Sequence, residues 1–196
     1  NSQIIAVADT GDLELFMSTT EAYLPQMNLV NLSTALHRLA KMMAGTPEAQ
    51  NAIRSHGTLP LLAEAVRAAF VKADAGRAPP QCQALSNVTW SMATIGFVDL
   101  ALLQMAASRA CEHFDHFKSF ELASILWAFA KLGLMDPSVS ESSAPLFKIA
   151  AAHIQIHADQ FTFRCYVMIV WAFATAREFD DRLFRCLRVN MMPTLR

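Results

Sequence analysis

The sequence has few charged residues and no excess of either sign. Lys, Arg, Asp and Glu together make up 17% of the 196 residues, against about 25% in an average soluble chain, and the net charge is −1. Phosphate binding usually shows as a basic excess, so composition alone does not demand a nucleic-acid partner. Basic residues cluster only near the C-terminal end, at Arg182, Arg185, Arg188 and Arg196.

The sequence also lacks the short motifs that carry common chemistry. It contains no Gly-rich phosphate loop, no nucleophile elbow and no HExxH zinc motif. Its four cysteines, Cys82, Cys111, Cys165 and Cys186, form no CxxC pair, so we expect free thiols in a reducing compartment. We therefore predict neither catalysis nor a cofactor.

No apolar run is long enough to cross a membrane. The longest, CYVMIVWAFATA at residues 165–176, has about half of the roughly 20 residues that a span needs, and it predicts a core helix instead. Apolar residues still make up 54% of the chain, so we expect each helix to lie between neighbours or under a partner. The first residue is Asn rather than Met, and we expect a trimmed product.

One helical pattern is repeated along the chain. CQALSNVTWSMATIG (82–96) and SFELASILWAFAKLG (119–133) carry Trp and Gly at the same places, 37 residues apart. FRCYVMIVWAFATAREF, from Phe163, repeats the WAFA with Trp171 lying 44 residues after Trp127. A weaker copy, NLVNLSTALHRLAKM, has His37 where the others have Trp. Self-similarity at this spacing is typical of helical-repeat proteins.

Each copy is followed by a second amphipathic stretch, so the repeated unit is predicted to be helix–turn–helix. We predict one all-α domain over residues 1–196, a right-handed solenoid of about four repeats that share one core. The repeats cover roughly 28–73, 81–114, 118–157 and 161–192, after one or two helices within 2–24. The Pro/Gly-rich DAGRAPPQ at 74–81 predicts a surface loop.

Several residues are expected to mark the ends of these helices. Asp180 is predicted to cap a second helix, and Gly45, Gly57, Gly96 and Gly133 to lie at helix ends, where the left-handed conformation favours Gly. Arg177 stands at the aligned position of the last copy, so its exit geometry is expected to differ. No capping repeat is evident, and we expect the chain to be part of a larger array or to lean on a partner.

Histidines near the middle of the chain suggest a metal site at first sight. CEHFDHF at 111–117 contains Cys111, His113 and His116, and His153 and His157 lie four residues apart on one predicted helix. A structural zinc site needs four ligands in closed tetrahedral geometry. We interpret the first group as a helix end, where His suits the dipole, and the second as a surface pair. No metal is predicted.

The pattern F-x-L-A-x-x-L-W-A-F-A-K-L-G at Phe120–Gly133 resembles the octotricopeptide repeat and is similar to the helical repeats of FAST-kinase-like and RAP-domain proteins. Leu85, Trp90, Ala93 and Gly96 match it a second time, and the resemblance extends from about residue 28 to the end, without a RAP domain. It implies an organellar RNA-binding protein that acts in RNA processing, stability or translation. A mitochondrial ribosome subunit best fits the weak net charge, with a plastid as the alternative location.

One polar stripe on the first helices is the predicted RNA-binding face. In the third copy Leu122, Leu126 and Phe129 are predicted to face the core, which leaves Glu121, Ser124, Ala128 and Lys131 on the opposite face. Aligned copies give Asn31, Thr34, Arg38 and Lys41, then Ala84, Asn87, Ser91 and Thr94, then Cys165, Met168, Ala172 and Thr175. Helical-repeat RNA binders read one base per repeat with such side chains. The candidate contacts are Asn31, Thr34, Arg38, Lys41, Asn87, Ser91, Ser124 and Lys131.

Other interpretations of the same residues stay open. A variable polar face is often only solvated, and the nearly apolar stripe of the fourth copy indicates contact with protein or a following repeat. Trp90, Trp127 and Trp171 could stack on bases, but core packing is the preferred interpretation. The alternative function is a protein-interaction scaffold of another organellar complex. An RNA-processing enzyme would need a catalytic domain outside these residues.

Overall fold

The protein is all-helical, as predicted. A computed structural model describes residues 2–75 and 81–192, and no strand occurs among them. The predicted loop over residues 74–81 falls largely outside the described residues. Eleven α-helices follow in chain order: α1 (Ser2–Asp9), α2 (Leu13–Tyr23), α3 (Leu29–Met43), α4 (Pro47–Arg54), α5 (Thr58–Ala75), α6 (Cys82–Ile95), α7 (Leu100–Glu112), α8 (Ser119–Gly133), α9 (Pro137–Ile156), α10 (Phe163–Ala176) and α11 (Asp181–Met191).

The helices form two layers. The first-helix layer contains α1, α3, α6, α8 and α10, and each of these helices packs against the next one in that order. The second-helix layer contains α2, α5, α7, α9 and α11, which neighbour one another in the same way. Since α1 packs on α3 and α2 on α5, the N-terminal pair continues the arrangement of the four copies.

An aspartate begins most helices of the second layer. Asp99, Asp136 and Asp180 precede α7, α9 and α11, and the carboxylate of each accepts a hydrogen bond from a backbone N–H of the first turn. Asp12 does the same for α2, at 3.0 Å from the nitrogen of Leu15. Such caps satisfy N–H groups that have no partner inside the helix. The prediction for Asp180 is confirmed, and the same cap starts the N-terminal pair.

Two of the aligned helix ends adopt the left-handed conformation. Gly96 has φ 76°, and Arg177, at the equivalent position after α10, has φ 58°. The expectation that Arg177 would change the exit geometry was therefore wrong. It is Gly133 that differs, because it is the last residue of α8 and is followed by Leu134 as the C-cap residue, whose φ is −69°. The Cβ of any other residue at position 133 would clash with the Ser140 hydroxyl of α9, so glycine suits the close packing of these two helices.

Small side chains lie at the contacts between neighbouring first helices. Ser91 of α6, Ala128 of α8 and Ala172 of α10 occupy one repeat position, and all three are fully buried. Ser86 of α6 donates a hydrogen bond across the contact to the backbone oxygen of Glu121, at 3.1 Å. Short side chains let two helix backbones approach closely at this point, so this row favours close packing of α3, α6, α8 and α10, whereas the same position on α3 is Arg38, which pairs with Asp9 of α1.

Large side chains fill the space between the two layers. Phe147 of α9 and Phe173 of α10 meet edge to face, with ring centroids 5.1 Å apart, and Phe129 is fully buried beside them in the same core. Edge-to-face pairs add to the free energy gained from burial. The four cysteines are free thiols, as expected, and Cys82 and Cys165 are buried.

Gly96→Ala is expected to lower the free energy of unfolding by about 1–2 kcal/mol, because an alanine is strained at a positive φ, and its Cβ would also push aside the end of the flexible Arg54 side chain. Gly57→Ala is the control, since its added Cβ meets nothing within 4 Å and its φ is not positive. Urea unfolding followed by circular dichroism measures both. Equal effects of the two substitutions would contradict the role given to the left-handed helix end.

Candidate nucleic-acid interface

Helices α6 and α8 each have one narrow edge that no other helix covers, and the aligned positions of α3 and α10 are accessible too. On α6 every residue from Ala84 to Ile95 is buried except Asn87 and Trp90, and on α8 every residue from Glu121 to Leu132 is buried except Trp127 and Lys131. The exposed positions are three and four residues apart, which places them along one side of a helix. We call this side the open edge. It comprises Val30, Thr34, His37, Lys41, Gln83, Asn87, Trp90, Phe120, Trp127, Lys131, Arg164, Met168, Trp171 and Thr175.

Four rings form a row along the middle of the open edge. The His37 ring lies 4.9 Å from the Trp90 ring, and the Trp127 ring lies 5.9 Å from the Trp171 ring, measured between centroids. Trp90 and Trp127 pack partly on the core, whereas Trp171 is 39% exposed. The prediction that the tryptophans belong to the core is therefore only partly correct. They border the core and also reach the surface.

Cationic groups lie over the exposed rings. The ammonium of Lys131 is 5.0 Å from the centre of the Trp127 ring, and the guanidinium of Arg164 is 5.5 Å from that of Phe120, which is 52% exposed. A cation above an aromatic face is attracted by its quadrupole and held in place. Burial also lowers the pKa of the Lys131 ammonium. An anion arriving at this edge would stabilise the charged form of that lysine.

The eight predicted contact residues do not share one face. Thr34, Lys41, Asn87 and Lys131 lie on the open edge and have accessible side chains. Ser124 lies in the same row but is buried. Each of these five residues lies either three residues before or four residues after the aligned ring of its helix, which is His37, Trp90 or Trp127.

The other three predicted residues lie on the side that faces the preceding helix. Ser91 is fully buried against its neighbours, so its side chain is not available to a ligand. Arg38 pairs with Asp9 of α1 at 3.1 Å, and Asn31 shares that side of α3. The predicted stripe is thus wrong for this row, because a first helix has neighbours on two sides and the second layer behind it.

The apolar stripe of the fourth copy has the same explanation. Cys165 and Ala172 are buried in the contact with α8, so their apolar character reflects the preceding helix. The stripe was expected to meet protein or a following repeat, but two of its residues contact the preceding first helix instead. Met168 and Thr175 remain partly accessible on the open edge.

The two histidine groups that suggested a metal site, His113 with His116 and His153 with His157, lie near each other. His113 is the C-cap residue of α7, as predicted. His153 packs on Phe114 and on His157, and its Nδ1 is 3.7 Å from a carboxylate oxygen of Asp115. Burial and then His157 lower the pKa of His153, against the opposing effect of Asp115. Among residues 2–75 and 81–192, no group of three His, Cys, Asp or Glu side chains is arranged to hold a metal ion.

No protein-family model aligns with the chain, and no curated protein sequence is significantly similar to it. In the part of the chain that the structure describes, no helix combines the length and apolar character needed to cross a membrane.

His37 makes stability depend on pH. Its pKa lies below the ordinary 6.5, first because the ring is buried and then because Lys41 and Arg38 are close, and its Nδ1 is buried without a hydrogen-bond partner among the described residues. As pH falls through 6.5, the unfolded chain binds the proton first, so the free energy of unfolding decreases until the folded state is protonated too.

His37→Phe should therefore lose less stability than the wild type between pH 7.5 and 5. At pH 7.5 it should also be more stable, by about 1 kcal/mol, because a buried unsatisfied nitrogen is removed. Thermal unfolding at several pH values measures both effects. His153 has a lowered pKa as well, so some pH dependence should remain. An unchanged slope in the variant would contradict the assignment to His37.

Proposed function

We propose that the protein is a right-handed solenoid of about four helix–turn–helix repeats that binds RNA along its open edge. In this proposal it is an organellar ribonucleoprotein component, such as a mitochondrial ribosome subunit that stabilises rRNA. The row of partly exposed rings carries the proposal, together with Lys131 over Trp127 of that row and Arg164 over the nearby open-edge ring of Phe120. The resemblance of Phe120–Gly133 to octotricopeptide repeats supports the organelle, with the plastid as the alternative to the mitochondrion.

The open edge suits unpaired bases rather than a duplex. Proteins recognise single-stranded RNA by stacking splayed bases on aromatic side chains or on guanidinium planes. Trp90, Trp127 and Trp171 offer one indole on each of three successive first helices. Asn87 and Thr34 lie one turn away on the same edge, where amide and hydroxyl groups can bond base edges. One base per repeat is the stoichiometry that this spacing favours.

Charge along the edge indicates a modest electrostatic contribution. Lys41, Lys131 and Arg164 are the basic side chains on the open edge. If each neutralises one phosphate, the logarithm of the affinity should fall against the logarithm of salt concentration with a slope of roughly −2, from about −0.7 per contact on single strands. Stacking would then supply most of the binding free energy, in keeping with the net charge of −1.

A protein-interaction scaffold is the second candidate. Exposed apolar side chains such as Phe120 and Val167 favour it, because such side chains are commonly covered by a protein partner. The two functions differ in their response to salt. A partner held by apolar contacts would stay bound where an RNA held partly by phosphate contacts dissociates.

Trp171→Ala should weaken binding of a single-stranded RNA of about 20 nucleotides by about tenfold, because one stacked base contributes roughly 1–3 kcal/mol. Fluorescence anisotropy with a labelled oligonucleotide measures the affinity. Trp171 is already partly exposed, so the substitution should leave the fold intact, and circular dichroism checks this.

Phe179→Ala is the matched control for this experiment. Phe179 is 76% exposed and lies in the α10–α11 loop, away from the open edge. Its loss should leave RNA affinity unchanged, whereas Lys131→Gln should make the salt slope shallower by about 0.7. No RNA binding by the wild type, or equal losses in the Trp171 and Phe179 variants, would refute the proposed function.

A further inference from the structure

The last first helix, α10, exposes a side that every earlier first helix buries. Val167 is 47% exposed, although its equivalents in the other three copies, Ala123, Ser86 and Ser33, are all buried. Ala174 is also exposed, although Ala130, Ala93 and Ala40 at the same position are buried. In the earlier copies this side contacts the next first helix. Helix α10 therefore carries an unused half of an interface that the molecule forms repeatedly.

The opposite half of the interface is open on α1. The segment IIAVADTG at residues 4–11 aligns with LWAFAKLG at residues 126–133, which places Ala6 on Ala128 and Gly11 on Gly133. Gly11 has φ 75°, like Gly96 at the end of α6. The row of small residues to which Ala6 belongs is buried in α6, α8 and α10, but Ala6 itself is exposed. Inside the molecule, α6, α8 and α10 each present a small side chain at this position to the first helix that precedes them.

The two ends also differ in charge. Residues 2–26 contain four carboxylates, Asp9, Asp12, Glu14 and Glu21, and no Lys or Arg. At the other end α11, which belongs to the same layer as α2, carries three exposed arginines, Arg182, Arg185 and Arg188, against one carboxylate, Asp181. Opposite charges on the two ends favour contact between unlike ends, whereas contact between two like ends is repulsive.

We propose that copies of this chain associate head to tail, with the α10–α11 end of one copy on the α1–α2 end of the next. The contact continues the internal interface: Val167 and Ala174 of one copy pack on the Ala6 side of α1 in the next. Arginines of α11 lie near Glu14 and its neighbours on α2. Because the contact joins two different surfaces, it generates an open chain or a closed ring.

Sedimentation velocity of the purified 196-residue chain tests this proposal. The weight-average mass should rise with protein concentration and should fall as salt is raised from about 50 to 500 mM, because screening weakens the attraction between the ends. Val167→Asp should weaken association at least tenfold, since it places a carboxylate in an apolar contact. Val167 is exposed in the single copy, so the fold should be retained.

Val71→Asp is the control, because Val71 is equally exposed but lies on α5 in the middle of the layer. The doubly substituted R185E/R188E chain and the Glu14→Arg chain should each associate more weakly alone. Their mixture should recover association, since every contact between the two variants again joins opposite charges. A monomer at all concentrations would overturn the proposal and leave a further repeat or another protein as the occupant. Equal weakening by Val71→Asp, or no recovery on mixing, would overturn it as well.

Discussion

Close packing between neighbouring first helices determines what the rest of this structure can do. The contact depends on serine and alanine at one repeat position, Ser91, Ala128 and Ala172, each fully buried. Such short side chains allow the backbones to approach, and larger ones would separate them. Because α6 and α8 are enclosed on two sides by this contact and on a third by the second layer, only a narrow edge of each remains open.

That narrow edge explains why aromatic residues lie where they do. A tryptophan at its margin can pack one part of the indole on the core and leave the remainder at the surface, where a base or a partner side chain could contact it. Lys131 and Arg164 lie over neighbouring rings and bring positive charge to an edge that the composition of the chain did not suggest. If the edge binds RNA as proposed, these cations would add a local electrostatic contribution that the net charge of −1 does not show.

Repetition also has a consequence at the ends of the array. In the proposed repeat array, a contact between successive first helices has two different halves, and α10 and α1 each leave one half without a neighbour among the described residues. Val167 on α10 and Ala6 on α1 are exposed there, although their equivalents on α6 and α8 are buried. In the proposed head-to-tail contact, the opposite charges of α2 and α11 would favour this orientation.

Much of the fold could be predicted from the sequence. The recurrence of WAFA and the spaced tryptophans identified the helices, and Asp180 identified the start of α11. Two further aspartate caps, at Asp99 and Asp136, could have been found from the same alignment, since each lies three residues after the aligned glycine, as Asp180 lies three after Arg177. The left-handed conformation of Arg177 was not predicted although it aligns with Gly96, because residues other than Gly rarely adopt a positive φ and the arginine indicated a different geometry.

The candidate site was harder to predict, because one helix considered alone has only an apolar and a polar side. Ser91 and Asn87 both belong to the polar side of α6, and only the position of α8 and α3 decides that the first is buried and the second accessible. The sequence by itself determined the helical units, their order and their aromatic position, because these follow from local periodicity. Tertiary structure decided which face is open, since small polar residues fit equally well between two helices and in water.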